Sequence, residues 1–416
     1  MNSTIERMGV VLPQTPGAWD SGSTAAPIVW KEEGRYFMLY QGWKEGTGPR
    51  IFGLATSDDG LKWEKHSKNP VMTPSPGQWD QGGFECGCVL KIDDYYRLYY
   101  SGHNGDGKLR IGMATSTNLI EWKKHDQNPI MDSDPKISWE SKGVAFPAVV
   151  RDSRGYTMIY GAYGPNSMEL GVATSLDGIA WNKHPHNPTL PQRGWWESPD
   201  CKYWDAGIEV HQTFATGDFY VTLYEGFGKP YRYNIGVAYS PDGIVWARSP
   251  ENPLFPLTGP NVRQDMSVVH PMLLIEDMLL YYVELEATRG FSAAPHRICA
   301  ARISPDVLNP LAQRSLSFPL WTDRTIESVG DTTSQIPTEG FERKTFYIST
   351  DETADVYIEI DPSGLEQWKV LEQDKVVANK LWTHVTTHDF HATRLRIVPT
   401  GGRAIMSAWL VLGNGA

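Results

Sequence analysis

The chain has 416 residues, a formal net charge of −11 at pH 7 and 12% aromatic residues. This length allows two or three domains, and the acidic balance argues against nucleic acid or an anionic membrane as the main partner. A neutral small ligand fits better, because the many Trp and Tyr side chains can pack in a core or stack on sugar rings.

The N-terminal stretch has no basic start followed by an apolar run, and no segment is apolar over a membrane-spanning length. We therefore expect a soluble, cytoplasmic protein. Its cysteines are too few for a disulfide scaffold and suit a reduced compartment. Three of them could in principle bind a metal, but a C-x-C without a second close pair is more typical of buried structural thiols. The four cysteines are Cys86, Cys88, Cys201 and Cys299.

Internal repetition is the strongest pattern in the chain. Four similar segments begin at Phe52, Ile111, Leu170 and Ile235, and a fainter fifth begins at Ile298. Each of the four reads as a G-x-A-[TY]-S strand, a polar turn, a tryptophan strand and an N-P step. The period of about 60 residues is too long for a solenoid and suits a four-stranded propeller blade.

Each repeat also contains two earlier strands joined by a polar turn. The first three repeats show them as "APIVWKEEGRYFMLYQGW", "CGCVLKIDDYYRLYYSGH" and "FPAVVRDSRGYTMIYGAY". Alternating aromatic and β-branched residues favour strands over helices. The sequence therefore predicts an all-β fold built around a five-bladed β-propeller.

The two ends of the chain complete this prediction. The N-terminal "MGVVLPQTPGAWD" is similar to "NPVMTPSPGQWD" of the second repeat's entry, so residues 8–12 are expected to form the outer strand of the last blade. Such pairing closes the ring and removes exposed strand edges. We expect a propeller over residues 1–310 and a small C-terminal β-sandwich over residues 311–416, where the repeat ends and short alternating strands follow.

With this blade pattern the sequence resembles the five-bladed propeller glycosidases of the β-fructosidase and arabinanase type, together with the related mannoside phosphorylases. The acid/base glutamate of β-fructosidases lies in a W-E-C-P-D element of the fourth blade. Residues 196–200 read W-E-S-P-D, with serine in place of cysteine. The resemblance implies that Glu197 is the proton donor.

The resemblance does not transfer the whole catalytic trio. Those families carry an aspartate before the proline that starts the first and third blades, whereas this chain has Ala26 and Phe146 there. Glu197 also has a structural interpretation, as one of four repeated Trp-acid steps that could cap or pack the blades. These steps are Trp19-Asp20, Trp79-Asp80, Trp139-Glu140 and Trp196-Glu197.

Acids that break the repeat are more informative. Glu85 stands where the first and third repeats have Ala25 and Ala145, so the repeat does not require a charge there. Cleaving a glycoside needs one carboxyl to protonate the leaving oxygen and another to attack or to activate water. We expect Glu85 and Asp265 to face the same axial pocket. The candidate catalytic acids are Glu197, Glu85, Asp265, Asp200 and, as a first-blade substitute, Asp20.

Candidate binding residues surround these acids. His270 is placed like the fifth-blade histidine that helps to hold an axial cation in arabinanase-type propellers, but a hydrogen-bonded core histidine is the more common role. A third interpretation is an anion site, which would suit a phosphorylase. The candidate substrate-binding residues are Trp19, Trp79, Lys142, Trp195, Arg263 and His270, and the anion site would use Lys142, Arg263 and His270.

The leading hypothesis is a glycoside hydrolase that acts on a short furanoside or pyranoside oligosaccharide in the axial pocket. The alternatives are a phosphorylase on the same scaffold and a non-catalytic carbohydrate-binding propeller. We expect no cofactor other than the axial divalent cation that His270 could help to bind. The expected partner is a small carbohydrate, with no nucleic acid and no membrane, and the sequence does not define an oligomeric state.

Overall fold

The computed structural model describes residues 5–44, 48–194, 198, 201–217, 219–228, 232–256, 266–286, 294–313 and 315–414. Over these residues the regular structure is β-strand, apart from short 3₁₀ helices, and no α-helix occurs. The fold class is therefore all-β. The 3₁₀ helices are Ser138–Glu140, Ile275–Asp277, Pro305–Leu308 and Pro310–Ala312. None of the described helices is long and apolar enough to cross a membrane.

Five four-stranded sheets follow one another along the chain. The first contains β2 (Ser23–Glu32), β3 (Arg35–Trp43), β4 (Ile51–Ser57) and β5 (Glu64–Lys65). The second contains β6 (Gly83–Ile92), β7 (Tyr95–His103), β8 (Arg110–Ser116) and β9 (Lys123–Lys124). The third contains β10 (Gly143–Asp152), β11 (Gly155–Tyr163), β12 (Met168–Ser175) and β13 (Asn182–Lys183).

The fourth sheet contains β14 (Gly207–Thr216), β15 (Phe219–Gly228), β16 (Arg232–Ser240) and β17 (Ala247–Arg248). The fifth contains β18 (Met266–Leu274), β19 (Leu279–Glu286), β20 (Arg297–Arg302) and the N-terminal β1 (Glu6–Leu12). Strand β1 pairs antiparallel with β20, with Val10 opposite Cys299 and Leu12 opposite Ile298. The N-terminal strand and the fifth repeated segment thus share one sheet.

A bulge interrupts the first strand in four of the sheets. The register shifts fall at Ala25/Ile28, Glu85/Gly87, Ala145/Ala148 and Val269/Met272. At three of these bulges the residue before a proline has a left-handed backbone, namely Ala26 (φ 45°), Phe146 (φ 53°) and His270 (φ 53°). Bulges redirect side chains and are common beside active sites. Glu85 and His270 both lie at such positions.

A repeated side-chain network stabilises the first four sheets. In each of them a buried acid accepts a hydrogen bond from a tyrosine hydroxyl of the second strand, and a tryptophan packs on that tyrosine. The acids are Asp20, Asp80, Glu140 and Asp205, the tyrosines Tyr40, Tyr100, Tyr160 and Tyr224, and the tryptophans Trp19, Trp79, Trp139 and Trp204. In the first three sheets a fourth-strand lysine pairs with the acid, over distances of 2.6, 2.5 and 2.6 Å.

This network corrects one prediction from the sequence. In the fourth sheet Trp204-Asp205 forms the Trp-acid step, because Asp205 is 1% exposed and accepts a 3.2 Å hydrogen bond from the Tyr224 hydroxyl. The expected step Trp196-Glu197 lies outside the described residues. The structural role that the repeat offered to Glu197 is therefore filled by another residue.

The chain divides into two compact units. One comprises Met1–Phe214, Thr222–Val237 and Asn252–Pro305, and the other comprises Ala215–Val221, Ala238–Glu251 and Asp306–Ala416. The second unit thus takes in short segments of the fourth repeat in addition to the C-terminal strands. Within it the Tyr239 hydroxyl donates to the Val307 carbonyl (2.7 Å), and Ser249 Oγ donates to Gln313 Oε1 (2.8 Å). Such contacts explain why its boundary is not a single position near residue 310.

The C-terminal strands of the second unit form two sheets. One consists of β21 (Ser315–Glu327), β24 (Arg343–Thr350), β27 (Trp382–Thr386) and β29 (Arg403–Gly413). The other consists of β22 (Asp331–Thr332), β23 (Ile336–Pro337), β25 (Ala354–Asp361), β26 (Lys369–Val376) and β28 (Ala392–Pro399). On the second of these sheets Glu359 accepts hydrogen bonds from Arg394 Nε and Arg396 Nε, both over 2.8 Å.

Candidate active site

Three glutamates from the second and fourth sheets come together in the first compact unit. Glu85 lies on β6, Glu209 on β14 and Glu225 on β15. Burial raises the pKa of both Glu209 and Glu225, and the charge of a neighbouring glutamate adds to each rise, Glu225 acting on Glu209 and Glu85 on Glu225. Buried acids are rare, and shifted pKa values are concentrated at functional sites, so this cluster is the candidate active site.

Glu85 has a positively charged partner. Its carboxylate forms an ion pair with the guanidinium of Arg50, and the two side chains are 16% and 21% exposed. The Arg50 guanidinium also lies 5.0 Å from the centre of the Trp43 ring. Glu85 is therefore paired with an arginine and retains some access to solvent.

Glu209 and Glu225 lack such a partner among the described cations. The Tyr163 hydroxyl donates to Glu209 Oε1 over 2.7 Å, and the His270 backbone N–H donates to Glu225 Oε2 over 2.8 Å. Burial, followed by the charge of Glu225, raises the pKa of Glu209 well above its usual range. Burial also raises the pKa of Glu225, to about 7.

His211 completes the group. Its Nε2 atom lies 3.0 Å from Glu225 Oε2, and burial lowers the pKa of the imidazole to about 4. One potential ligand atom from each of Glu209, His211 and Glu225 lies within 4.8 Å of the others, so these three residues could hold a metal ion.

His270 is buried and participates in hydrogen bonds that join neighbouring sheets. Its Nδ1 accepts a hydrogen bond from the Ala26 backbone N–H over 3.3 Å, and its ring lies 5.1 Å from that of His211. Burial, with contributions from His211 and His296, lowers its pKa well below the usual value. These contacts favour the core role for His270 over the cation-binding role.

Several predicted site residues have other roles. Asp20, expected as a first-blade catalytic substitute, is fully buried and pairs with Lys65, so we correct it to a structural acid. Trp19 and Trp79, expected to bind substrate, pack on Tyr40 and Tyr100 within their own sheets. Their rings fill space beside glycines of the second and third strands, where no larger residue would fit.

The remaining predictions are left open by the structure. The Lys142 side chain is exposed, and its backbone N–H bonds to the Tyr163 carbonyl over 2.8 Å. The expected facing pair of Glu85 and Asp265 therefore stays a prediction, because Asp265 lies outside the described residues. Five predicted site residues lie outside them, namely Glu197, Asp200, Asp265, Trp195 and Arg263.

Sequence reasoning missed Glu209, His211 and Glu225, although a signal for one of them exists. Glu209 occupies the position in "GIEVHQTF" that Glu85 occupies in "GFECGCVL", and both break a pattern of small residues. Aligning the fourth repeat with the others in the same way identifies Glu209. Glu225 replaces Gln41 and Ser101 on the second strand, but only the fold places it beside Glu209.

Four-stranded sheets that repeat along the chain are typical of β-propeller folds. Residues 24–256 match the model of glycoside hydrolase family 130, described as beta-1,4-mannooligosaccharide phosphorylase. The match covers more than half of the chain, which therefore belongs to this family.

Two curated relatives illustrate this membership. A 1,2-beta-oligomannan phosphorylase of Thermoanaerobacter sp. (strain X514) is 27% identical over 199 residues, which cover 45% of this chain and 61% of that protein. The uncharacterized protein MT1551 of Mycobacterium tuberculosis is 31% identical over 160 residues, covering 37% and 51% of the two chains. The chain thus spans about half the length of the curated relatives it matches.

Solved structures share the fold at low sequence identity. Zg3597, a family 117 glycoside hydrolase of Zobellia galactanivorans, has a TM-score of 0.55 at 14% identity, over 74% of this chain and 93% of its own. A structure reported for family 130 mannoside phosphorylases, a family said to contain hydrolases that target beta-1,2 mannosidic linkages in Candida mannan, has a TM-score of 0.51 at 19% identity. It covers 72% of this chain and 94% of its own.

Proposed function

We propose that the protein is a glycoside hydrolase that cleaves a short β-mannoside at the cluster around Glu85. Membership of family 130 and the names of its relatives support the substrate class. The observation that carries hydrolysis is the charge of the cluster: three carboxyl groups face one guanidinium, Arg50, which already pairs with Glu85. Because Arg50 is already paired with a carboxylate, it attracts a phosphate nucleophile less strongly.

In this proposal Glu85 is the general base. Its carboxylate removes a proton from water, and the oxygen of that water forms a bond to the anomeric carbon while the bond to the leaving sugar breaks. Arg50 pairs with this carboxylate and orients it. Glu197 gives its proton to the leaving oxygen, a role supported by its W-E-S-P-D motif and by the assignment of the structural Trp-acid step to Asp205.

We further propose that the five repeated sheets are the blades of one propeller over residues 1–310 and that the last two sheets form a β-sandwich over residues 311–416. The pairing of β1 with β20 supports ring closure. Four unpaired thiols support a cytoplasmic location, where disulfides are rare.

Phosphorolysis is the second candidate, because the family model and the Thermoanaerobacter relative are both described as phosphorylases. In that reaction phosphate replaces water and the product is mannose 1-phosphate. Its cations would have to come from residues outside the described part of the chain, where the predicted Arg263 lies.

One assay separates these reactions. Purified protein is incubated with β-1,2- and β-1,4-linked mannobiose and mannotriose, with and without inorganic phosphate, and the products are separated by ion chromatography. We expect free mannose at a rate that phosphate does not change. Mannose 1-phosphate would establish phosphorolysis instead, and binding without cleavage of any substrate would leave a carbohydrate-binding protein.

The role of Glu85 is tested with a matched pair of variants. Glu85→Gln is expected to lower turnover by about 100-fold or more, because general base catalysis contributes about 10²–10⁴. Glu32→Gln is the control, since Glu32 is also an ion-paired glutamate on the first strand of its sheet. Equal turnover in the two variants would remove Glu85 from the mechanism.

A further inference from the structure

We propose that Glu209, His211 and Glu225 bind one divalent transition-metal ion, with Zn²⁺ as the best chemical match. The proposal goes beyond the cleavage reaction and does not depend on it, because its ligands do not include Glu85 or Glu197. The ion would join the first two strands of the fourth sheet, since Glu209 and His211 lie on β14 and Glu225 on β15.

The potential ligand atoms are already close together, and two of them have no hydrogen-bond partner among the described residues. One atom from each residue lies within 4.8 Å of the other two, and His211 Nε2 is 3.0 Å from Glu225 Oε2. Glu225 is fully buried and His211 is 6% exposed. Within the described part of the chain, Glu225 Oε1 and His211 Nε2 are buried without a hydrogen-bond partner. Such atoms are rare in proteins and call for an explanation such as an ion.

Charge balance gives a second, independent argument. Arg50 pairs with Glu85, and no described cation pairs with the carboxylate of Glu209 or of Glu225 except the neighbouring imidazole. Buried charges are normally paired or coordinate metals, because an unpaired one loses its hydration. One divalent cation would hold both carboxyl groups in their ionised form and balance their two charges.

The surrounding hydrogen bonds hold the ligands in position. Tyr163 donates to Glu209 Oε1 over 2.7 Å, and the His270 N–H donates to Glu225 Oε2 over 2.8 Å, which leaves Glu225 Oε1 available. Hydrogen bonds of this kind orient metal ligands in known sites. His270 itself is not a ligand in this proposal, because its Nδ1 accepts the Ala26 N–H.

The ligand set decides which ion fits. Calcium takes about six to eight oxygen ligands, and magnesium requires near-octahedral oxygen coordination with retained waters. One imidazole and two carboxylates in an enclosed position instead match the three protein ligands of a zinc site, with metal–ligand distances of about 2.0–2.2 Å. The 3.0 Å contact between His211 and Glu225 is close to the ligand–ligand spacing of such a site.

The test measures metal binding directly. The full-length protein is stripped with a chelator, and Zn²⁺ binding is followed by isothermal titration calorimetry and by the shift in melting temperature. We expect one tight equivalent and a rise of several degrees. His211→Gln and Glu225→Gln should each weaken binding at least tenfold, and the Glu225→Gln amide oxygen can still accept the His270 N–H, so that variant keeps the fold.

A matched control separates this site from surface binding. His184 and His186 have ring centres 5.2 Å apart, and His186 is exposed, so His186→Gln removes a surface imidazole and should leave the tight equivalent unchanged. The proposal is overturned if the stripped protein binds no Zn²⁺ below about 10 µM, or if His211→Gln binds as tightly as the parent. It is also overturned if His186→Gln abolishes the tight equivalent. Loss of mannoside cleavage alone would count against the proposed hydrolase function and not against the metal site.

Discussion

The Asp80→Asn substitution tests the repeated acid network in the second sheet. Asp80 is fully buried, and its Oδ2 lies 2.5 Å from Lys124 Nζ and 3.3 Å from the Tyr100 hydroxyl. The substitution leaves an ammonium group without its counter-charge. Burial already lowers the pKa of Lys124, with Asp80 acting in the opposite direction.

The magnitude follows from the exposure of the two partners. Breaking a buried ion pair costs about 3–5 kcal/mol. Because the Lys124 side chain is 21% exposed, water recovers part of this cost, and we expect a loss of about 2–4 kcal/mol for Asp80→Asn. Lys124→Met strands the fully buried Asp80 charge and should cost about 3–5 kcal/mol. The double variant should lose less than the sum, because neither charge then remains.

Urea unfolding followed by tryptophan fluorescence measures these losses, with a separate transition fitted for each compact unit. Asp152→Asn is the control, because its partner Arg154 is 67% exposed and such surface pairs contribute about 0–1 kcal/mol. The reasoning is refuted if Asp80→Asn and Asp152→Asn lose equal stability, or if the double variant loses the full sum.

Three further predictions follow from the same structure. Asp205→Asn should lower the free energy of unfolding by about 1–3 kcal/mol. Glu197→Gln should instead keep the parent's melting temperature and reduce turnover about 100-fold or more. Similar losses of melting temperature in both variants would contradict this distinction. Deleting residues 1–12 removes β1 and exposes the edge of β20, so the truncated protein should melt at a clearly lower temperature and aggregate on heating. A melting curve like the parent's would count against closure of the propeller ring by β1. Burial raises the pKa of Glu359, but hydrogen bonds from Arg396 and Arg394 outweigh burial, so the net effect is a lowered pKa. A carboxyl whose pKa is lower in the folded than in the unfolded chain stabilises the fold at pH values above its unfolded pKa, and this stabilisation is lost as the pH falls. The stability cost of Glu359→Gln, measured by urea unfolding, should therefore be present at pH 7 and shrink below about pH 4.

The repeats in the sequence were sufficient to predict the all-β class and the order of the strands. Strand alternation and turn residues depend on neighbours close in the chain, so they can be read locally. The same comparison found Glu85, because a charge that replaces Ala25 and Ala145 stands out in aligned repeats.

The fourth repeat shows where this approach fails. Its spacing from the third repeat is longer than the earlier spacings, and its pattern predicts Trp196-Glu197 as the Trp-acid step, although Trp204-Asp205 follows closely. Only the tertiary structure decides between them, because the step is defined by the contact of its acid with a tyrosine from the second strand. Asp205 makes that contact with Tyr224.

The candidate site depended on tertiary structure for the same reason. Arg50 lies 35 residues before Glu85, and Tyr163 lies 46 residues before Glu209, yet each pair is in direct contact. No local pattern links these residues, because strands from different sheets bring their side chains together only when the sheets pack. The sequence by itself determined which strands form, and the packing of those strands decided which carboxyl groups share a charge, a proton donor or a metal ion.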